Sequence, residues 1–307
     1  MEKKISVVIP NYNGRDLLLK NLPSVIRHCF GCEIILVDDA SEDDSVSLVR
    51  KKFKKVKVIT LAKNVGFARA ANLGVKKARG DLILLLNSDV SPKEGFLKPA
   101  LNYFKKDPLN TFAVGLCDLS HEDGKIIPRG RGGANFTKGF LKHYAAHPER
   151  GETLWVSGGS GLFDRQKFLN LGGFDVLFAP FYWEDIDLCF KAWRVGLTCL
   201  FEPLSKVDHF HESGAIKKSR SQFFVKTVSY KNQFIFVWKN INDYILIIQH
   251  ILWLPYHFIS ALIKLDLAFF AGFFWAIFTI GELILRYDPA TIFYKLTERE
   301  VLEKFEK

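Results

Sequence analysis

Along the first hundred residues two spacings of apolar side chains alternate. Residues 5–9, 33–37, 56–61 and 82–86 form short, nearly unbroken apolar runs, a length and pattern that suit strands buried on both faces. Between them, residues 15–28, 41–53 and 67–78 carry apolar side chains at helical intervals, with Leu17, Leu18, Leu22, Val25 and Ile26 marking the first. Pro10 is expected to end the first strand, and Ser41, followed by acids, to cap the second helix. Strand and helix in alternation predict an α/β fold with a mostly parallel central sheet and helices on both faces. Ligands of such sheets gather beyond the carboxyl ends of the strands.

Those ends are polar in every case. Pro10-Asn11-Tyr12-Asn13-Gly14 follows the first strand, Asp38-Asp39-Ala40-Ser41 the second, Asn64-Val65-Gly66-Phe67-Ala68-Arg69 the third and Asn87-Ser88-Asp89 the fourth. Four such clusters at one sheet edge read as a site. Carboxylates placed there can accept hydrogen bonds from a nucleobase or ribose, or serve the start of a helix. Asp89 offers a hard oxygen to a divalent metal, and is equally a good turn residue. Ser157-Gly158-Gly159-Ser160 is small enough for backbone to approach a ligand closely. In Trp183-Glu184-Asp185-Ile186-Asp187 three acids crowd together, which raises pKa values toward those of a useful general base. Tyr182 and Trp183 beside them can stack on a sugar or close the core. Asp208-His209-Phe210-His211 puts two imidazoles on one face of an extended segment, a geometry compatible with a metal.

Composition narrows the class. In 307 residues, 43 Lys and Arg against 33 Asp and Glu leave a formal charge of +10, and 48% of the chain is hydrophobic. That excludes a disordered polymer. The positive charge and a flexible basic loop at residues 128–133, after a hairpin turn at Asp123-Gly124, raise the alternative of a nucleic-acid binder; no RNA- or DNA-binding motif accompanies them, and nucleic acid is not expected as a partner. Cys29-Phe30-Gly31-Cys32 has no second pair to complete a zinc site. The N-terminus enters a strand without the pattern of a signal peptide, so the chain reads as facing the cytosol.

Beyond residue 216 the composition turns aromatic and aliphatic, dividing the chain into residues 1–215 and a helical region at 216–307. The runs 244–263 and 267–285 approach the ~20 residues that cross a bilayer. Pro255 interrupts the first, and Asp243, His250, His257 and Lys264 recur in it every seven residues, with Ser260 beside them; Thr279, Glu282 and Arg286 align in the second. A narrow polar stripe on an apolar body predicts helices lying in the membrane interface, or packed against the rest of the protein with the remainder in lipid, ahead of full spanning and of a soluble or dimerising subdomain. Lys217, Lys218, Arg220, Lys226 and Lys231 are expected to meet anionic headgroups.

Taken in order, Val8-Ile9-Pro10-Asn11-Tyr12-Asn13-Gly14, Val37-Asp38-Asp39-Ala40-Ser41, Asn64-Val65-Gly66-Phe67-Ala68, the stretch from Gly80-Asp81 to Asn87-Ser88-Asp89, Gly172-Gly173-Phe174-Asp175 and Glu184-Asp185-Ile186-Asp187-Leu188 resemble the family 2 nucleotide-sugar glycosyltransferases. The resemblance covers roughly residues 3 to 215 and looks closest to the bacterial branch that builds surface polysaccharides, rhamnosyltransferases included. It implies a Rossmann-like GT-A domain and an inverting transfer from a nucleoside-diphosphate sugar to a hydroxyl of a glycan or lipid-linked acceptor. It implies Asp185 as catalytic base and a donor site of Pro10, Asn11, Asp38, Asp39, Asn64, Arg69, Asn87, Ser88 and Gly159, with one of the two aspartates on the nucleobase. A divalent metal, Mg2+ or Mn2+, would sit on Asp89 with His209, and the acceptor near Trp183 and Glu184. Asn87 stands where the family places the first Asp of its metal motif. The cytoplasmic face of the cell membrane follows as the expected location, and a homodimer is left open. A catalytically silent nucleotide-sugar-binding or scaffold protein would be expected to lack Asp89 or Asp185; both are present.

Overall fold

The computed structural model describes residues 3–122, 124–210, 221–285 and 293–306. Its strands are β1 (Ile5–Asn11), β2 (Glu33–Asp38), β3 (Val56–Thr60), β4 (Leu82–Leu86), β5 (Val90–Pro92), β6 (Thr111–Glu122), β7 (Lys125–Arg129), β8 (Gly132–Thr137), β9 (Phe140–Ala145), β10 (Gly151–Glu152), β11 (Ser160–Asp164) and β12 (Thr198–His209). The helices are α1 (Arg15–His28), α2 (Ser45–Lys52), α3 (Phe67–Lys77), α4 (Leu97–Lys106), α5 (Arg165–Asn170), α6 (Glu184–Arg194), α7 (Gln222–Asn240), α8 (Tyr244–Ile263), α9 (Leu267–Leu285) and α10 (Glu298–Glu303). The main sheet runs β10-β12-β6-β11-β4-β1-β2-β3. Strands β1 to β4 pair in parallel, β11 lies antiparallel between β4 and β6, and β12 is parallel to β6.

Burial on both faces explains the apolar strands. Val8, Ile35, Val37, Ile83 and Leu85 belong to the layer built with α3, α5 and α6, while Val7, Ile9, Ile34, Leu36 and Leu84 meet α1, α2 and α4. Each such side chain, wholly withdrawn from water, contributes about 1.5–3 kcal/mol. The result is a three-layer α/β fold whose parallel core was expected from the alternation.

Three local expectations fail for identifiable reasons. Strand β1 continues through Pro10 to Asn11, since β4 pairs with it only as far as Val8, and a proline on a strand flanked on one side costs little. Helix α2 starts at Ser45 after Asp44; Ser41 instead gives its hydroxyl to Asp38 and accepts from the Asn13 amide. The basic loop is largely strand: Arg129 ends β7 and pairs with Glu122 at 2.9 Å, and Arg131 pairs with Glu149 at 3.0 Å. Glu122 faces Lys125 across that hairpin; Asp123 lies outside the described residues.

The apolar core runs on past residue 216. Phe234, Ile235, Phe236 and Val237 of α7, with Val301 and Leu302 of α10, join the cluster that includes Ile186 and Phe190 of α6. At its centre Asp187, with no solvent exposure, takes both oxygens to Lys239 Nζ at 2.8 Å and accepts from Asn240 at 2.9 Å. Lys239 also reaches Asp175 at 2.6 Å. Helix α8 is long and apolar enough to cross a membrane by length and composition, with 20 residues and mean hydropathy 1.5. The first three residues of its heptad stripe meet protein, while Lys264 is exposed. Asp243 caps the helix and binds Arg299; His250 donates to the Gly139 carbonyl at 2.7 Å and accepts from Trp238 at 3.0 Å, and His257 donates to the Lys138 carbonyl at 2.7 Å. The opposite side leaves Ile248, Ile251, Leu252, Ile259, Leu262 and Ile263 exposed. Lys231 is no surface cation: it is 2% exposed and donates to two carbonyls. Lys226 pairs with Asp266 at 2.8 Å. Lys217, Lys218, Arg220, His211 and Arg286 lie outside the described residues.

Lys239→Met strands the Asp187 charge in the core, and the expected cost is about 3 kcal/mol or more. Urea unfolding monitored by tryptophan fluorescence measures it; an unchanged midpoint would mean the pair does not tie α7 to α6.

Candidate functional site

At the carboxyl ends of β1 and β2 the first cluster is knit by its own side chains. Asn11 donates to Asp38 Oδ1 at 2.9 Å, and Ser41 offers that carboxylate its hydroxyl at 2.6 Å and its amide at 3.0 Å. Asp39 accepts the backbone amides of Val65 and Gly66 at 2.7 and 2.8 Å, a geometry that depends on Gly66 at φ +86°. Asp38 thus joins the β1 and β2 ends, and Asp39 fastens the turn into α3 against them. Both carboxylates are buried, as are Pro10 and Asn11; Asn64 and Arg69 are exposed on the same turn and on α3.

The next step along the edge is β4. Asn87 takes its backbone N–H to the carbonyl of Gly159 at 2.9 Å, and Asn21 fixes the Ser88 carbonyl at 3.0 Å. A Cβ on Gly159 would fall 2.5 Å from the Asn87 side chain, so only glycine admits that approach. Gly158, its neighbour, gives its amide to Asp185 Oδ2 at 3.4 Å. One dipeptide therefore touches the Asn87-Ser88-Asp89 end on one side and Asp185 on the other.

Asp89 is 7% exposed, and its Oδ1, without a hydrogen bond among the described residues, lies 3.3 Å from His209 Nε2. The other imidazole nitrogen binds Asp118, a buried carboxylate in the otherwise apolar start of β6. Burial opposes charge on this ring, yet Asp118 and Asp89 together push its pKa up to about 9. Among the described residues no group of three or more His, Cys, Asp or Glu side chains is arranged to hold a metal ion. One orphaned carboxylate oxygen beside one imidazole, however, fits a hard or borderline divalent cation that takes its remaining ligands elsewhere. Asp118 was missed in the sequence; a lone acid inside a buried strand was its only signal.

On the far side, α6 opens with Glu184 and Asp185 directly after Tyr182 and Trp183, both at positive φ, 68° and 76°. Bulky residues adopt that conformation only when their surroundings over-determine it. Helix α7 does so: Asn232 donates to the carbonyls of Phe178, Phe181 and Tyr182, and Lys231 to those of Leu177 and Ala179. Trp183, 4% exposed, closes the core against Phe236 and His143, whereas Tyr182 at 45% is the ring a ligand can reach. Burial raises Asp185 to about 6, against the amide bonds from Ile186 and Gly158 that favour its charge. Burial and the Asp185 charge push Glu184 up to about 8, and its Oε2 has no hydrogen-bond partner among the described residues. At neutral pH the pair holds one ionised carboxylate and one neutral acid. Asp187, in the first turn of α6, is the buried anchor for Lys239.

Residues 6–168 match the family model described as Glycosyl transferase family 2. Polypeptide N-acetylgalactosaminyltransferase 11 of Xenopus tropicalis is 29% identical over 226 residues, 66% of this chain and 37% of that protein. The human type 13 enzyme is 28% identical, across 66% of this chain and 41% of its own. The chain thus spans well under half the length of these curated relatives. Among solved structures, GalNAc-T7 with UDP, GalNAc and Mn2+ aligns at TM-score 0.64 and 21% identity, over 79% of this chain and 49% of that one. S. aureus TarS with UDP-GlcNAc gives 0.59 and 18%, over 83% and 72%. A mannosyltransferase of Pyrobaculum calidifontis with GDP-Man and Mn2+ gives 0.56 and 15%, over 98% and 86%. These likenesses support the GT-A fold.

In Asp118→Asn the His209 pKa should fall by roughly one pH unit or more, because an anionic neighbour is lost. Proton NMR titration of the metal-free protein reads it, and an unmoved titration would show that Asp118 does not govern this ring.

Proposed function

The chain belongs to glycosyl transferase family 2, and on that premise we propose that it is an inverting transferase. It moves a sugar from a nucleoside diphosphate to a hydroxyl of a glycan or lipid-linked acceptor in surface-polysaccharide synthesis, at the cytoplasmic face of the cell membrane. The observation that carries this reading is the Gly158-Gly159 dipeptide, whose backbone contacts Asn87 on one side and Asp185 on the other. A sugar lying over that dipeptide has its leaving group toward Asp89 and its free face toward Asp185. Neighbours crystallised with UDP, UDP-GlcNAc and GDP-Man support a donor of this class. The rhamnosyltransferase-like branch, suggested by the motifs, is retained beside curated relatives that are animal GalNAc-transferases.

Asp185 takes the acceptor's proton as oxygen attacks the anomeric carbon, and one displacement from the face opposite the leaving group inverts that carbon. Glu184, neutral beside it, leaves the working charge on Asp185 alone. Asp38, Asp39 and Asn11 hold the loops that would frame the nucleoside, with Asn64 and Arg69 at their rim. A divalent cation, Mg2+ or Mn2+, held by Asp89 and His209 would neutralise charge on the departing diphosphate. Asp118 keeps the imidazole oriented for that task, as carboxylate partners of metal-binding histidines do.

Asp185→Asn is expected to lower turnover by roughly 10²–10⁴-fold, the usual worth of a general base, with donor binding retained. Turnover of the parent protein should fall tenfold per pH unit below about 6 as Asp185 takes up its proton. Both are read by nucleoside-diphosphate release, after a panel of nucleotide sugars has been screened by thermal stabilisation. Absence of stabilisation by every donor, or full turnover in Asp185→Asn, would defeat the reading.

A further inference from the structure

A cavity of about 620 Å3 lies between the β8–β9 hairpin and helices α7, α8 and α9. Four lysines line it from different elements: Lys138 and Lys142 from the hairpin, Lys226 from α7 and Lys264 from the end of α8. Among the described residues of its wall the one carboxylate is Asp266, and that charge is already met by Lys226 at 2.8 Å and the Tyr230 hydroxyl at 2.7 Å. Lys138 rests on the Tyr256 ring and bonds its hydroxyl at 3.1 Å; Lys142 and Lys264 are exposed. Like charges gathered in a concave wall repel one another and focus a positive field, which an anion relieves.

What adjoins the cavity narrows the anion. One wall ends at Trp183, two residues before Asp185. On the other side is α8, whose polar stripe supplies Lys264 while its exposed face presents Ile248, Ile251, Leu252, Ile259, Leu262 and Ile263. In order, then, come Asp185 two residues beyond the Trp183 wall, the cationic cavity, and the apolar flank of α8. A molecule matching that sequence carries a hydroxyl, then phosphate, then hydrocarbon.

We propose that this cavity binds the phosphate or diphosphate of a lipid-linked acceptor, with its hydrocarbon against the exposed face of α8 and its sugar hydroxyl directed to Asp185. The inference rests on the transferase reading and names its acceptor's anchoring group. Lysines serve here as point charges on a mobile phosphate, and the flank contributes by burial of hydrocarbon.

Flotation of the full chain with phosphatidylcholine vesicles doped with farnesyl diphosphate tests it. Doping should raise binding, and Lys142→Gln/Lys264→Gln should reduce that gain roughly 30-fold, from the usual worth of two lysines near an anionic surface. Lys142→Glu/Lys264→Glu should abolish it, with melting curves of both variants checking that the fold persists. Inorganic diphosphate in solution should compete only weakly. Equal binding to vesicles doped with phosphatidylglycerol, full competition by inorganic diphosphate, or undiminished binding by both variants would each overturn the proposal. Nucleotide-sugar stabilisation of the unaltered protein, measured in the same preparations, separates that failure from failure of the transferase reading.

Discussion

The site depends on how α7 grips the segment before α6. Five carbonyls between Leu177 and Tyr182 receive N–H groups from Lys231 and Asn232, and Lys239 meets the Asp187 carboxylate one helical turn further on. Two consecutive bulky residues in the left-handed region would relax if left alone. Held this way, they turn the chain sharply enough for Glu184 and Asp185 to begin a helix facing Gly158. The region after residue 216 is in this sense part of the scaffold of the site: Asp185 stands where α7 keeps it.

Two clusters of acids flank the glycine pair, and their environments drive them apart. At the start of α6 burial raises both Glu184 and Asp185, Glu184 further because of the charge beside it. Near β4 the acids Asp89 and Asp118 share His209, and the imidazole instead gains charge. One side thus favours the protonated acid and the other the protonated imidazole.

Much of the frame was legible in the order of residues. The strands 33–38, 56–60 and 82–86 and the helices between them emerge from apolar spacing within a few residues, since a buried parallel strand must be apolar on both faces. The loop acids stood out because charge at the end of such a strand is unusual. Pairings across long separations were invisible: Asp118 with His209 spans 91 positions, and Asn232 with the Phe181 carbonyl spans 51. The heptad stripe of α8 could be read, but not its partner, the two-residue turn Lys138-Gly139 whose positive φ angles bring its carbonyls to His257 and His250. The Arg-Gly stretch misled for a related reason: glycines there serve close strand approach rather than mobility.

That turn has a practical consequence. By drawing His250 and His257 of α8 inward, it leaves the helix with an outer side dominated by apolar side chains. In plain buffer a purified sample will shield this side by clumping, so detergent or nanodiscs will govern yield and particle size before any question of chemistry arises.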